Sequence, residues 1–174
     1  TVMRRFRGHE ASVTDIILTS DGSRMVTSSL DQTVITWDLV GGTILGRLQG
    51  HDGGVLTVDL NSDDTRLLTG SADRTIKLWN FETNQLLNTL YGHDDRIRSI
   101  AFSPDGWQAV STSSDMSIII WDIVLGNILD IYTPTASSLW SVDVHSADSR
   151  ALMTTGYPEN AVLEAGKRWL GAAS

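Results

Sequence analysis

A group of short motifs recurs along this chain at one constant spacing of 42 residues. The spacing separates three tryptophans, three Gly-His pairs and three aspartates: Trp37, Trp79 and Trp121; Gly8-His9, Gly50-His51 and Gly92-His93; Asp31, Asp73 and Asp115. An internal repeat with a period of about 20 to 50 residues indicates a supersecondary unit whose copies bury each other's apolar faces. The chain is therefore expected to fold as a series of similar, adjoining units.

Each unit is predicted to contain four short β-strands. In the second unit, Thr69, Ser71 and Asp73 close one strand in a tight turn, and Thr75 to Trp79 alternate polar and apolar residues as the next strand. The predicted strands are Val13 to Leu18, Met25 to Ser29, Thr33 to Trp37 and Thr43 to Leu48 in the first unit, and then Thr75 to Trp79, Gln85 to Leu90, Ser117 to Trp121 and Ile128 to Tyr132. Buried positions of the inner strands are predicted at Val13, Val55 and Ile97 and at Ile16, Val58 and Ile100. By register, Val2 to Arg7 is predicted to be an outer strand.

The combination of Gly-His, Ser-x-Asp and Trp-Asp or Trp-Asn, in this order, resembles the WD40 family of β-propellers. The resemblance covers Gly8 to Tyr132 strongly and Thr133 to about Gly166 weakly. It implies an all-β fold of about four four-stranded blades that serves as a binding platform and has no chemistry of its own. Propellers of this family usually close with about seven blades. We therefore expect an open arc, or part of a larger propeller, in a piece of a longer polypeptide that further sequence or another chain completes.

The repeat period also sets the boundaries of the units. Repeats are predicted over about 8–49, 50–91 and 92–133, after an outer strand over 1–7 and before a degenerate fourth repeat over 134–157. The fourth repeat keeps an apolar register that predicts strands at Leu139 to Val144 and Arg150 to Thr155. It lacks the polar motif, because the corresponding positions hold Thr135, Thr155, Tyr157 and Leu163. Residues 158–174 are predicted to be a tail or a degenerate strand.

Histidine, serine, aspartate and tryptophan recur together in each clear repeat, as His9, Ser29, Asp31 and Trp37; His51, Ser71, Asp73 and Trp79; and His93, Ser113, Asp115 and Trp121. A catalytic Ser-His-Asp triad needs an exposed nucleophile and an oxyanion hole, and three copies do not suit a single active site. The sets instead predict a buried relay from the indole N–H through a Ser or Thr hydroxyl and the imidazole to the turn aspartate, a role that the WD40 resemblance supports. Because the histidines belong to separate blades, no metal site is predicted.

Composition narrows the classes of partner and compartment. The net charge of −8 and the pI near 4.7 oppose tight nonspecific binding to phosphates, which needs clustered Lys and Arg. The chain has no cysteine, so disulfides and thiolate metal sites are excluded. No phosphate-binding glycine motif, signal peptide, membrane-spanning run or glycosylation sequon is found. We therefore expect no cofactor, and an intracellular protein of the cytoplasm or nucleus.

The predicted function is that of a non-catalytic protein–protein interaction scaffold within a larger protein or a multisubunit assembly. Partner contacts are predicted on the loops that lead into the inner strands and on the turns between second and third strands, at Glu10, Leu30, Asp52, Ala72, Asp94, Asp95, Arg96 and Ser114. Two alternatives stay open. A nucleic-acid-associated component, as in a ribonucleoprotein, would use Arg4, Arg5 and Arg7, and a propeller enzyme would need polar groups that converge in the central channel.

Overall fold

The computed structural model describes residues 4–133, 139–145, 150–155 and 162–163. These residues form fifteen strands, all in antiparallel sheets. Blade 1 contains β1 (Val13–Leu18), β2 (Arg24–Ser29), β3 (Val34–Asp38) and β4 (Ile44–Leu48). Blade 2 contains β5 (Val55–Leu60), β6 (Arg66–Ser71), β7 (Ile76–Asn80) and β8 (Leu86–Leu90). Blade 3 contains β9 (Ile97–Phe102), β10 (Gln108–Ser113), β11 (Ile118–Asp122) and β12 (Asn127–Tyr132).

The remaining strands form a fourth, three-stranded sheet of β13 (Leu139–His145), β14 (Arg150–Thr155) and β15 (Val162–Leu163). In each sheet the strands pair in sequence order from the inner to the outer strand, and β13 takes the inner position beside β9. Among the described residues, none forms a helix of the length and apolarity that a membrane crossing requires. The predicted all-β class is confirmed, and β1 to β4, β7, β8 and β11 to β14, for which bounds were predicted, begin and end within one residue of them.

The apolar core lies between successive blades. The seam between blades 1 and 2 buries Val26, Val34, Leu48, Val55, Val58, Leu67 and Trp79. The seam between blades 2 and 3 buries Leu68, Ile76, Leu78, Leu90, Ile97, Ile100, Ile119 and Trp121. At this second seam the blades approach closely at Gly70, where an added Cβ would lie 2.6 Å from Ile97 Cγ2. Because each core is shared, every blade depends on its neighbours for its burial.

The inner strand β1 is the exception to this burial. Val13 is 53% exposed, whereas its counterparts Val55 and Ile97 are fully buried. Ile16 is 56% exposed, whereas its counterparts Val58 and Ile100 are 5% and 4% exposed. The prediction that Val13 and Ile16 are buried is therefore wrong, although it is right for blades 2 and 3. The reason is that β1 belongs to the first blade of an open arc, so no preceding blade of the described chain covers it. The predicted open arrangement is confirmed.

An outer strand was predicted for Val2 to Arg7, but the described residues of this segment, from Arg4 onward, contain no strand. The Phe6 ring instead packs edge-on against Trp37, with 5.5 Å between ring centroids. The Arg4 guanidinium donates hydrogen bonds to the carbonyl oxygens of Leu39, at 3.1 Å, and Val40. Phe6 thus shields part of the apolar surface that blade 1 turns away from blade 2. Of the predicted features beyond blade 3, Thr135, Tyr157 and most of the tail lie outside the described residues.

We expect the 174-residue chain alone to self-associate through the bare face of β1, because exposed apolar patches of this kind bury themselves in contacts. Sedimentation should detect species heavier than the 19.0 kDa monomer. Ile16→Asp should shift the distribution toward monomer without changing the circular dichroism spectrum, because Ile16 is already exposed. Thr43→Asp, an exposed change away from this face, is the matched control and should leave the distribution unchanged. An unsubstituted chain that sediments only as a monomer contradicts this expectation.

Candidate functional site

A hydrogen-bond relay runs through each of the four-stranded blades 1, 2 and 3, next to the loop that leads into the inner strand. Blade 2 shows it clearly. Trp79 Nε1 donates to Thr69 Oγ1 at 2.9 Å, Thr69 Oγ1 lies 2.7 Å from His51 Nε2, and His51 Nδ1 lies 2.7 Å from Asp73 Oδ2. The indole N–H can only donate, so the threonine hydroxyl accepts it and donates its own proton to Nε2. A neutral imidazole then donates its Nδ1–H to the carboxylate.

Blades 1 and 3 repeat this geometry. In blade 1, Thr27 Oγ1 lies 2.8 Å from both Trp37 Nε1 and His9 Nε2, and His9 Nδ1 lies 2.9 Å from Asp31 Oδ2. In blade 3, Ser111 Oγ lies 2.8 Å from Trp121 Nε1 and 2.7 Å from His93 Nε2, and His93 Nδ1 lies 2.8 Å from Asp115 Oδ2. In each blade the relay joins the third strand, the second strand and the loop that leads into the inner strand. It therefore fixes that loop to the body of the blade.

The predicted serines are not the hydroxyls of the relay. Ser29, Ser71 and Ser113 lie two residues after Thr27, Thr69 and Ser111, nearer the turn, where the indole does not reach. Their buried hydroxyls accept the backbone N–H of Asp31, Asp73 and Asp115, at 3.1 Å in each case. The Ser71 and Ser113 hydroxyls also donate to the loop carbonyls of Gly53, at 3.0 Å, and Asp95, at 2.9 Å. The serines therefore hold the turn and the loop, and the relay assignment for them is corrected. A hydroxyl at 27, 69 and 111 has the same 42-residue spacing and was the available signal.

The turn aspartates collect more hydrogen bonds than the sequence predicted. Asp73 Oδ2 also accepts the N–H of Asp52 at 3.0 Å, and Oδ1 accepts both the N–H and the hydroxyl of Thr75, at 2.8 and 2.6 Å. Burial disfavours the charged carboxylate, but hydrogen bonds from His51 and Thr75 outweigh it and hold the pKa of Asp73 below its usual range. The pKa of Asp31 and of Asp115 is lowered in the same way. Each of blades 1, 2 and 3 thus has an ionised aspartate beside the loop that leads into its inner strand.

The relays lack the exposed nucleophile that a catalytic triad requires. Burial lowers the pKa of His93 below its usual value, although its hydrogen bond to Asp115 opposes the change. The hydroxyls of Thr69 and Ser111 are fully buried and already engaged on both sides, so neither can meet a substrate. Both ring nitrogens of each relay histidine are bonded within its own blade, and the described residues contain no group of three potential ligands placed to hold a metal ion.

The relays support one continuous surface, which we call the loop face. It consists of the loops that lead into β1, β5 and β9 together with the β2–β3, β6–β7 and β10–β11 turns. Within each blade a backbone hydrogen bond joins loop to turn: Leu30 to Ser12 at 3.0 Å, Ala72 to Gly54 at 2.9 Å and Ser114 to Arg96 at 3.1 Å. Between blades 1 and 2, Leu30 lies against Gly54, where an added Cβ would come within 2.9 Å of Leu30 Cδ2.

The structure places all eight predicted partner-binding residues on the loop face. Seven are exposed and Ser114 is half-buried: Glu10, Leu30, Asp52, Ala72, Asp94, Asp95 and Arg96 are the exposed ones. Four of these carry carboxylates and one is an arginine, whose Nε lies 3.8 Å from Asp95 Oδ1. The Ser114 hydroxyl contacts β9, the inner strand of its own blade, because it accepts a hydrogen bond from Arg98 Nε at 2.6 Å.

Each turn on the loop face also has one residue in the left-handed backbone region. These residues are Gln32, Arg74 and Met116, with φ of 71°, 73° and 65°. Glycine favours this conformation and other residues adopt it at a cost. Each is fixed by a backbone hydrogen bond to the serine before the turn, as from Arg74 N to Ser71 O at 3.3 Å. The turns therefore keep one shape although the side chain that they display differs.

The inner strands carry two carboxylates that the sequence analysis did not single out. Asp15 Oδ2 accepts the N–H of Val58 at 3.0 Å, and Asp59 Oδ2 accepts the N–H of Phe102 at 2.7 Å, so each joins its blade to the next. Burial raises the pKa of Asp59 to about 7, and the charges of Asp143 and Asp15 act in the same direction. The side chains that act on one another here, Asp15, Asp59 and Asp143, are all acidic. Asp15 and Asp59 also connect neighbouring blades through their hydrogen bonds. An Asp within a strand of otherwise apolar pattern was the signal in the sequence.

We expect Trp79→Phe to destabilise the fold by about 1 to 3 kcal/mol, because the buried Thr69 Oγ1 then loses the indole N–H that it accepts. Chemical denaturation measures this difference. Trp107→Phe is the matched control: Trp107 is 56% exposed and its ring stacks on Arg66, at 4.5 Å, so its replacement should stay within about 0.5 kcal/mol. Equal stabilities of the Trp79 variant and the parent would falsify the relay as a stabilising element.

Asp59 should make the fold less stable as the pH rises. Its folded pKa of about 7 lies above the usual 3.8, so between these values the folded state binds a proton that the unfolded state releases. The free energy of unfolding should therefore fall from about pH 4 to pH 7 by this contribution. Asp59→Asn keeps an acceptor for Phe102 N and should reduce the fall, as urea unfolding at about pH 5 and about pH 8 can show. Asp52→Asn, at an exposed position, should leave the fall unchanged, and identical pH dependence in both variants would contradict the assignment to Asp59.

Comparison with known proteins agrees with this geometry. A family model described as "WD domain, G-beta repeat" matches residues 1–38, 42–80 and 84–122, which is more than half of the chain. One curated relative is a component of chromatin assembly factor 1 from Gallus gallus. It is 50% identical over 42 residues, which are 24% of this chain and 7% of that protein.

Two solved structures share the fold at greater length. The structures titled "Structure of U3-55K" and "Crystal structure of RRP9 WD40 repeats" each superpose with a TM-score of 0.84 at 26% identity and cover 92% of this chain. The chain spans about half the length of these solved chains, 53% and 52%. The family match, the four-stranded blades and the repeated relay lead to one conclusion: the chain belongs to the WD40 repeat family of β-propellers.

Proposed function

We propose that this chain is a non-catalytic scaffold that binds a protein partner on its loop face, as the propeller portion of a larger protein or multisubunit assembly. One observation carries the proposal. Exposed side chains that differ from blade to blade lie on loops that the buried relays and the turn serines fix to the blades. A rigid frame with variable exposed loops is a common arrangement for recognition, because binding then requires little ordering of the chain.

The chemistry of the loop face favours a protein partner over a nucleic acid. Its exposed charges include Glu10, Asp52, Asp94 and Asp95 against Arg74 and Arg96, and the whole chain has a net charge of −8. Phosphate backbones are repelled by such a surface. A nucleic-acid-associated assembly stays an alternative that the chromatin role in the name of the chicken relative suggests, with Arg5 and Arg7 exposed away from the loop face. A catalytic role has less support, because no enzyme family is indicated by the comparisons.

The bare face of β1 supports a second part of the proposal, namely that further propeller blades, from the same polypeptide or another chain, adjoin blade 1. At both complete seams, residues that correspond to Val13 and Ile16 are buried by the preceding blade. The part of this chain that superposes on the solved relatives covers 53% and 52% of their length. A blade placed against β1 would restore the same burial.

We expect Arg96→Glu and Asp94→Arg to weaken capture of a protein partner by the intact parent protein, because both change the charge of exposed loop-face side chains. Their thermal midpoints should match the parent, since exposed substitutions usually change stability by less than about 0.5 kcal/mol. Affinity capture after nuclease treatment, followed by mass spectrometry, identifies proteins that the parent retains and both variants lose.

Arg5→Glu makes a similar charge change away from the loop face and is the control, which should keep those proteins. Loss of the same partners in Arg5→Glu alone, or their loss on nuclease treatment of the parent, would instead support the nucleic-acid-associated alternative. Unfolding of either loop variant would show that the loops are structural.

A further inference from the structure

The pairing of third and outer strands places different chemistry at one equivalent position in the three blades. The paired residues are Ile35 with Arg47 in blade 1, Lys77 with Thr89 in blade 2 and Ile119 with Ile131 in blade 3. Blade 1 thus has its cation on the exposed outer strand, and blade 2 has it on the third strand, where the other two blades have a buried isoleucine.

The two cations are satisfied to different degrees. The Arg47 guanidinium donates to Thr33 Oγ1 at 3.1 Å and to the Gly8 carbonyl at 2.8 Å, so it is used within blade 1. Lys77 is 9% exposed, and its Nζ donates to Thr89 Oγ1 at 3.2 Å. Within the described part of the chain, this hydroxyl is its hydrogen-bond partner and no carboxylate lies at ion-pair distance. An ammonium has three donors, so the one hydroxyl leaves two of them for a further acceptor.

A cleft of about 600 Å³ opens beside Lys77, at the edge of the loop face. It is lined by the turn residues Asp73 to Thr75, by Lys77 and by Tyr91 to His93. In blade 1 the long Arg47 side chain lies against Thr33, the counterpart of Thr75. Blade 2 has the shorter Thr89 at the position of Arg47, and Thr75 lines the cleft. A cleft of this size suits a side chain or a short peptide segment.

The charges around the cleft favour a single carboxylate. Lys77 lies in its wall and the exposed Arg74 in the turn at its margin, while the exposed Tyr91 supplies an aromatic surface. Both oxygens of Asp73 are taken by donors from His51, Asp52 and Thr75, so they are already occupied within the blade. Asp52 also lines the cleft but is exposed, where solvent screens its charge. An extended polyanion is opposed by the net charge of −8.

We infer that this cleft receives the side-chain carboxylate of an Asp or Glu residue of a protein partner, which forms an ion pair with Lys77 beside Arg74 and Tyr91. The inference rests on the proposed interaction function and names part of the chemistry that the partner presents. Pairing supplies the anion that Lys77 lacks among the described residues.

The test uses the full chain with lysine and tyrosine labelled with ¹³C, because the sequence contains Lys77 and Lys167 and three tyrosines, so few signals need assignment. The probe is N-acetyl-glutamic acid α-amide, and N-acetyl-glutamine amide is the neutral control. We expect saturable shifts of the Lys77 Cε–Hε and Tyr91 ring signals with the glutamate probe, at millimolar affinity, and none with the glutamine analogue. Lys167 and the other tyrosines are the internal references.

Three variants locate the site. Lys77→Ile introduces the residue of the other two blades, and Thr89→Arg introduces the arginine of blade 1, whose side chain reaches Thr33, the counterpart of the cleft residue Thr75. Each should weaken the Tyr91 response about tenfold or more, whereas Lys77→Arg should retain it. Circular dichroism checks that each variant folds, and either of the first two variants is sufficient for the comparison. Shifts that are equal with the glutamine analogue, that persist in Lys77→Ile, or that arise only with inorganic phosphate would overturn the inference. Because the probe needs no partner, this result is independent of the loop-face capture experiment, and the two proposals can fail separately.

Discussion

The buried relay from indole to hydroxyl to imidazole to carboxylate is the interaction on which this molecule depends. It spans the blade from the third strand to the loop that leads into the inner strand, and every member has a hydrogen-bond partner. A polar chain inside an apolar blade is costly when incomplete, so it has one favourable arrangement. That arrangement fixes the position of the loop that leads into the inner strand relative to its blade. The same arrangement occurs in blades 1, 2 and 3.

The blades themselves are connected by a different set of forces. Apolar side chains fill each seam, and the inner-strand carboxylates of Asp15 and Asp59 accept a backbone N–H from the next blade. Burial makes the ionised form of Asp59 unfavourable and raises its pKa, so this connection responds to pH, whereas the relay carboxylates have a lowered pKa. The loops and the seams therefore differ in how acid affects them.

The sequence predicted those features that depend on local pattern. Alternation and turn residues located the strands, and the 42-residue period located the relay histidines, tryptophans and aspartates. It misassigned the relay hydroxyl because Thr27 and Ser29 both recur with the same period, and only the reach of the Trp37 indole distinguishes them. It also assigned burial to Val13 and Ile16, since a repeat pattern assumes a neighbour on both sides. The raised pKa of Asp59 and the hydrogen bond of Lys77 to Thr89 in place of an ion pair depend on contacts between distant segments. The repeat period does not encode such contacts.

The left-handed residues of the three turns have a consequence for how such a surface diverges. Gln32, Arg74 and Met116 hold one backbone shape, so an amide, a cation and a thioether occupy geometrically equivalent points at regular angular steps. A mutation at one of these points changes the chemistry displayed there without altering the spacing of the others. Affinity for a new ligand can therefore increase by one substitution at a time, while the backbone of the turns and blades stays the same.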